Sequence, residues 1–223
     1  MYKGKQVVIF GASGLVGTAL LKLLLESGKY SAILSFVRSE TGIKHQRLIE
    51  HIANFDQPES FAKEIIGDDI FLCLGTTIAK AGTKDNFFKV DHGYNLNAAK
   101  IAKQNGIQNC FLVSAIGADS KSGIFYSMVK GKLEENIAEL GFHSLHIFRP
   151  SLLLGKRNEL RIGERIAVIF SNVLKPILSY FKSDYTPVEA EDVAKAMINM
   201  ASRNAEGVFY YAYRDIFQAI KND

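Results

Sequence analysis

Val7-Val8-Ile9-Phe10-Gly11-Ala12-Ser13-Gly14-Leu15-Val16-Gly17 stands near the start of a 223-residue chain and decides how its remaining residues are read. Four apolar residues, mostly β-branched, run straight into a glycine turn. Leu15, Val16, Ala19, Leu20, Leu23 and Leu24 then recur at helical spacing. Strand, glycine turn and helix in this order form the entrance to a dinucleotide site. The helix start offers unpaired backbone N–H groups and a positive dipole end to a pyrophosphate. Glycines permit the tight turn, the approach of phosphate to backbone, and the packing of helix on strand. Gly11, Ser13, Gly14, Leu15, Val16 and Gly17 are therefore the predicted phosphate-binding residues. Their spacing is G-x-x-G-x-x-G rather than the commoner G-x-G-x-x-G, so the flanking strand and helix carry the reading more than the glycines do.

Beyond this stretch, apolar strands alternate with amphipathic helices. Strands are predicted at Ala32–Val37, Arg47–Ala53, Asp69–Leu74, Asn109–Ser114, Ser144–Phe148 and Val208–Tyr213. Helices are predicted at Pro58–Ile66, as one long element from Thr83 to Asn105, and at Phe125–Leu140, Ile162–Leu174 and Glu189–Ser202, with a break at Pro176. The alternation predicts an α/β fold with a doubly wound, mostly parallel sheet. Right-handed crossovers would then align Gly11, Arg38, Gly75 and Ser114 along one sheet edge, where such folds bind ligands. The whole chain reads as a single domain, with residues 1–155 as the cofactor-binding core and 156–223 as a small C-terminal cap on the substrate side.

Hydrophobic residues make up 48% of the chain, enough for one sizeable core. Net charge is +4, from 27 basic and 23 acidic residues without long runs of one sign, so neither nucleic acid nor a membrane surface is an expected partner. Lys3 and Lys5 precede an apolar stretch as in a secretory signal, but Gly11, Ser13 and Gly14 interrupt it and Lys22 and Glu26 come after. No stretch has the length of a transmembrane helix. Cys73 and Cys110 lie within apolar strand-like runs, which predicts buried reduced thiols and a cytoplasmic location. His143 and His146 flank a strand without a Cys or carboxylate cluster, so no metal site is expected. The apolar run Ile166–Phe181 reads first as core or lid. The chain is expected as a monomer or homodimer acting on a small molecule.

A second constellation comprises Ser114, Tyr126 and Lys130. Tyr126 and Lys130 are four residues apart on a predicted helix and share one face, and Ser114 ends the fifth strand ahead of them. Together with the glycine turn, this set resembles the short-chain dehydrogenase/reductases, a Rossmann-type family with a Ser, Tyr-x-x-x-Lys active site. More closely, the chain is similar to their atypical branch, that of the Tat-interacting tumour-suppressor protein and its bacterial relatives. The matching stretches are Leu74-Gly-Thr-Thr77 with Lys80-Ala-Gly82, Val90-Asp91, Ser114 with Gly117-Ala-Asp119, Val129-Lys-Gly131 and Phe148-Arg-Pro150. The resemblance extends to about residue 165.

It implies Tyr126 as proton donor and acceptor to a carbonyl or alcohol oxygen, Ser114 as hydrogen-bond donor to that oxygen, and Lys130 as holder of the nicotinamide ribose. The Lys130 ammonium would lower the Tyr126 pKa from its ordinary value near 10. No acid stands at the tip of the second strand; Arg38 does, which favours the 2′-phosphate of NADP(H) over NAD(H). Glu40 is the residue that would reverse this choice. Asn54 and Phe55 are expected at the adenine, with Asn54 where the branch carries Asp. Gly75, Thr76 and Thr77 are expected under the adenosine ribose and pyrophosphate. Many members of the family add an active-site asparagine where this chain reads Val90-Asp91-His92, which leaves that part of the proton relay open. An NADP(H)-dependent oxidoreductase is thus the leading expectation. A cofactor-binding sensor without turnover is the alternative, and a nucleotide-sugar epimerase or dehydratase-like enzyme the third.

Overall fold

Alternation of side chains settles how the central strands stack, because β-strands at the middle of the sheet are covered on both sides. In β1 (Gln6–Phe10), Val7 and Ile9 face one helical layer and Val8 and Phe10 the other. All four are at most 1% exposed, as expected for a central parallel strand. A computed structural model describes residues 4–155 and 186–221 of the chain. After β1 come α1 (Leu15–Ser27), β2 (Ala32–Val37), β3 (Leu48–Ile52), a 3-10 helix at Pro58–Glu64 and β4 (Asp69–Leu72). Next are α2 (Ile78–Ala81), α3 (Lys84–Phe88), a π-helical turn at Lys89–Tyr94, α4 (Asn95–Gln104), β5 (Asn109–Val113), α5 (Phe125–Ala138) and β6 (Ser144–Phe148). The described C-terminal part adds β7 (Leu153–Leu154), β8 (Val188–Glu189), α6 (Ala190–Met200), β9 (Gly207–Tyr211) and α7 (Tyr213–Lys221).

Among the described residues, seven strands form one sheet in the order β3-β2-β1-β4-β5-β6-β9, and β7 pairs with β8 in a separate ribbon. Every ladder is parallel. The order reverses between β1 and β4, which places the ligand crevice of a doubly wound sheet beyond Phe10 and Leu72. Leu20, Leu21 and Leu24 of α1 and Val193 and Met197 of α6 cover one face; Ala98, Ala99, Ala102, Leu133 and Ile137 of α4 and α5 cover the other. At the opposite edge from the crevice, Asp69 is fully buried and accepts hydrogen bonds from Tyr30 (2.5 Å), Asn109 (2.7 Å) and Lys5 (3.1 Å). That cluster ties β4 to β2 and β5 and serves stability.

Four expectations change. The long helix from Thr83 to Asn105 is α3, the π-helical turn and α4 in succession, and α2 precedes it. Pro58–Glu64 winds as a 3-10 helix rather than an α-helix. The final strand ends at Tyr211, and the chain continues into α7. Finally, 156 is not a boundary between core and cap for residues 186–221: β9 extends the main sheet beside β6, and α6 packs on α1. The helix expected at Ile162–Leu174, the break at Pro176 and the apolar run Ile166–Phe181 lie outside the described residues.

Candidate active site at the strand C-termini

Gly11 leaves β1 with φ +85°, and a β-carbon there would lie 2.5 Å from the Cys73 carbonyl. Turn and β4 therefore touch backbone to backbone. The Gly14 N–H donates to the Gly11 carbonyl at 2.9 Å, and the Thr18 hydroxyl donates to the Ala12 carbonyl at 3.0 Å, closing the turn. α1 then begins at Leu15 with no side-chain cap and no acid in its first turn. This is a cradle that an anionic phosphate fits, since the helix start has no competing carboxylate of its own.

The loop after β4 is held by a residue that the sequence did not single out as functional. Asp91, on the π-helical turn, is 1% exposed; its Oδ2 accepts the Thr76 N–H at 2.8 Å and its Oδ1 lies 2.7 Å from Lys130 Nζ. The Lys130 side chain is itself only 6% exposed. Asn95 donates to the Leu74 carbonyl at 3.1 Å and to the Asp91 carbonyl at 3.0 Å, fixing the other side of the same loop. The Thr77 hydroxyl caps α2 by accepting the Lys80 N–H at 3.1 Å. Gly75 passes closest to the pair: a β-carbon there would sit 3.5 Å from Asp91 Oδ1 and 4.0 Å from Lys130 Nζ.

Tyr126 and Lys130 occupy successive turns of α5. Phe87 of α3, fully buried, packs its ring 5.6 Å from that of Tyr126. Gly131 lets α5 press on the loop after β5, where a β-carbon would meet the Ser120 N–H nitrogen at 2.1 Å. Burial pushes the Tyr126 phenol up; Lys130 opposes this and Asp91 adds to it, and the balance lies above the usual tyrosine value. The lowering expected from Lys130 is thus outweighed, chiefly by burial of the phenol, with the Asp91 carboxylate adding to it. Burial alone would push Lys130 down, but Asp91 and Tyr126 outweigh it and hold the ammonium above the usual lysine range. Ser114 comes directly after β5; its N–H donates to the Phe148 carbonyl at 2.7 Å, while its buried hydroxyl has no hydrogen-bond partner among the described residues. An orphaned buried hydroxyl costs about 1–3 kcal/mol, and a ligand oxygen would remove that cost.

Arg38, Ser39 and Glu40 are exposed beyond the tip of β2. Their loop is pinned by Glu50 of β3, which accepts from the Thr41 hydroxyl at 2.7 Å and from the Thr41 N–H at 3.2 Å. Asn54 is exposed and its Oδ1 accepts the Asp56 N–H at 3.1 Å. Phe55 is 8% exposed, its ring among Phe10, Phe61 and Tyr94, so its side chain is committed first to the core. Asp56 in turn accepts from Tyr94 (2.6 Å) and pairs with Lys89 (2.7 Å), so the π-helical turn holds this loop as well. Glu134, one turn beyond Lys130, takes the Arg149 Nε at 3.0 and 3.1 Å, which joins α5 to the end of β6. Structure thus brings Gly75, Thr76 and Lys130 together around Asp91, and sets Gly11 against the Cys73 and Leu74 backbone that leads into the same loop. It leaves Arg38, Glu40 and Asn54 outside that network. Among the described residues there is no group of three His, Cys, Asp or Glu able to hold a metal, and no helix long and apolar enough to cross a membrane.

A glycine turn at the switch point of a parallel sheet, facing a buried Lys one turn after a Tyr, defines a nicotinamide-dinucleotide-binding protein of the short-chain dehydrogenase/reductase kind. Residues 11–140 match the family described as NAD(P)H-binding, and the chain belongs to that family, in its atypical short-chain dehydrogenase/reductase branch. The Candida albicans protein named "FMP52, mitochondrial" is 35% identical over 205 residues, 89% of either chain. Rattus norvegicus HTATIP2 is 36% identical over 201 residues, 88% of this chain and 81% of that one. The fold is shared with a Thermotoga maritima UDP-glucose 4-epimerase (TM-score 0.70, 14% identity, 97% of this chain and 80% of that one). It is also shared with the Bordetella bronchiseptica enzyme WbmH in complex with NAD+ (TM-score 0.71, 16% identity, 94% and 76%).

These relatives correct the cytoplasmic expectation: those from Candida albicans, Debaryomyces hansenii and Scheffersomyces stipitis are all named mitochondrial. Cys110 is buried and Cys73 half-buried, and reduced cysteines point only to a reducing environment. A cytoplasm and a mitochondrial matrix share that property, so cysteine usage has no power to separate them.

Proposed function

We propose that the chain is an NADP(H)-dependent oxidoreductase acting on a carbonyl or alcohol substrate. The observation that carries the reading is Lys130, anchored by Asp91 at the loop that faces the glycine turn, one helical turn from Tyr126. Gly11 to Gly17 would receive the pyrophosphate, Gly75 to Thr77 the adjoining ribose, Lys130 the nicotinamide ribose, and Arg38 the 2′-phosphate. When bound, the cofactor supplies a hydride. Tyr126 then donates its hydroxyl proton to the carbonyl oxygen, and Ser114 donates a hydrogen bond to the same oxygen. Phe87 packs against the phenol ring, with the ring centres 5.6 Å apart. Arg38 favours NADP(H) because a guanidinium meets a phosphate with paired charged hydrogen bonds, with Glu40, two residues on, the carboxylate that competes for the ribose. An epimerase reading draws on neighbours named as 4-epimerases at 14–16% identity, a likeness of fold alone.

The test is turnover of NADPH by the full chain against a panel of aldehydes and ketones. Tyr126→Phe is expected to lower kcat by about 10²–10⁴-fold, the ordinary worth of a positioned acid, while calorimetry shows NADPH binding retained. Equal turnover in wild type and variant would remove Tyr126 from the mechanism. An inert wild type that still binds NADPH would favour the sensor.

A further inference from the structure

Asp91 unites three observations. It is a carboxylate with almost no exposure, it sits on a π-helical turn, and each of its oxygens has a different partner: the Lys130 ammonium at 2.7 Å and the Thr76 backbone N–H at 2.8 Å. π-helical turns inside α-helices recur at functional sites. Here the wider winding separates α3 from α4 and presents Asp91 inward between the loop after β4 and α5. Among the described residues, the charged groups around Tyr126 come from two elements. Lys130 and, farther along, Glu134 belong to α5, the latter already paired with Arg149; Asp91 comes from the π-helical turn. His92, the next residue, turns away to hydrogen-bond Asn136 at 2.9 Å, near Lys100 and Lys132.

We infer that Asp91 is a positioning residue of the proposed reaction: it fastens Lys130 to the Gly75–Thr76 loop and, by neutralising the ammonium, commits Tyr126 to proton donation. An unpaired ammonium beside a phenol favours the phenolate, the form that accepts a proton from an alcohol. A paired one leaves the phenol intact, the form that gives its proton to a carbonyl. The site is thereby set for reduction at neutral pH, with Tyr126 losing the proton and the carbonyl oxygen gaining it as hydride reaches the carbon. The direction of proton transfer rests on the oxidoreductase reading, whereas the charge arrangement stands without it.

The experiment tracks Tyr126 itself in the cofactor-free protein, by NMR of tyrosine labelled at Cζ, with the resonance assigned through its loss in Tyr126→Phe. Wild type, Asp91→Asn and the double variant Asp91→Asn/Lys130→Gln are titrated. Asp91→Asn keeps an acceptor for the Thr76 N–H and frees the ammonium, so Tyr126 is expected to ionise at least about one pH unit below wild type. In the double variant both charges are gone, and the titration is expected to return to within about half a unit of wild type. Should Asp91→Asn fail to fold, the double variant, which buries no unpaired charge, carries the test alone. An unchanged titration in Asp91→Asn, or a displaced one in the double variant, overturns the inference. Neither readout requires turnover, so loss of the oxidoreductase reading would leave this result interpretable.

Discussion

A β-carbon on Gly17 would lie 2.0 Å from the Gly11 carbonyl oxygen and 3.0 Å from the Ala12 Cα. Those atoms belong to the turn that β1 and β4 hold in place, so α1 would have to move. Gly14 presents the same oxygen at 3.2 Å, a contact that a few tenths of an ångström relieve. Gly17→Ala is therefore expected to destabilise the chain by about 2–4 kcal/mol, at or above the usual range for overpacking. Gly14→Ala should stay within about 1 kcal/mol, the ordinary size of a tolerated substitution. Chemical denaturation of both variants measures the difference, and a Gly17→Ala protein as stable as wild type would refute the close packing. At this scale the sequence is most legible. The glycine turn, Ser114, Tyr126 and Lys130 can all be named from it, because each belongs to a local pattern. Asp91 stands out only as a departure, since its importance comes from Lys130 and Thr76, partners brought to it by the fold. Phe55 shows the converse: a residue placed at the adenine by position spends its ring on the core.

Register governs the next scale. Phe71 of β4, Phe111 of β5, His146 of β6 and Phe209 of β9 are aligned partners in successive ladders. Their rings stack at 4.7, 4.8 and 5.0 Å, so the sheet carries a continuous row of rings under α6. His146 fits the row as the neutral imidazole, with Nε2 at 2.8 Å from the Ser144 hydroxyl and Nδ1 at 2.8 Å from the Tyr211 hydroxyl. Burial, with the Arg203 charge adding to it, pushes its pKa down to about 4. The unfolded chain takes up this proton near pH 6.5 and the folded chain does not, so stability falls as pH drops from about 6.5 towards the folded value. The loss from this one group is about 2–3 kcal/mol. Between pH 7 and about 4, His146→Phe is expected to lose that much less stability than wild type in urea titrations. Parallel slopes for the two proteins would contradict it. The row is not legible in sequence, since it depends on which strands pair; local spacing offers His146 only as a metal-ligand candidate. The π-helical turn is hidden for a related reason. Buried positions 87, 91, 95 and 99 step by four, slightly wider than an α-helix allows, and within an otherwise regular helical pattern the step passes as ordinary drift. α7 is more accessible: Tyr213, Ile216 and Ile220 keep helical spacing, and Asp215 accepts the Ala212 N–H at 3.0 Å at its start.

Across the whole molecule, the proposed cofactor site joins parts that the chain order separates. The turn after β1, the loop after β2, the loop after β4 and α5 each contribute, so one bound dinucleotide would bridge both halves of the sheet. A ligand that binds only the folded state stabilises it by about 2.7 kcal/mol at a hundredfold excess over its Kd. For a chain of this size that corresponds to a rise in Tm of about 5–10 °C. NADPH is expected to give this rise, and NADH a smaller one at the same concentration, because Arg38 stands exposed at the tip of β2 where a ribose phosphate would reach it. Charged hydrogen bonds of this kind contribute about 1.5–3 kcal/mol. Arg38→Ala should accordingly weaken NADPH by about ten- to a hundredfold and bring its thermal shift down to that of NADH, which the substitution leaves unchanged. Glu40 makes the measurement decisive. Were it the group that meets the ribose, NADH would give the larger shift, Arg38→Ala would alter neither, and Glu40→Gln would abolish the NADH preference. Thermal melts of the two variants with each cofactor distinguish these arrangements, and they do so without a known substrate.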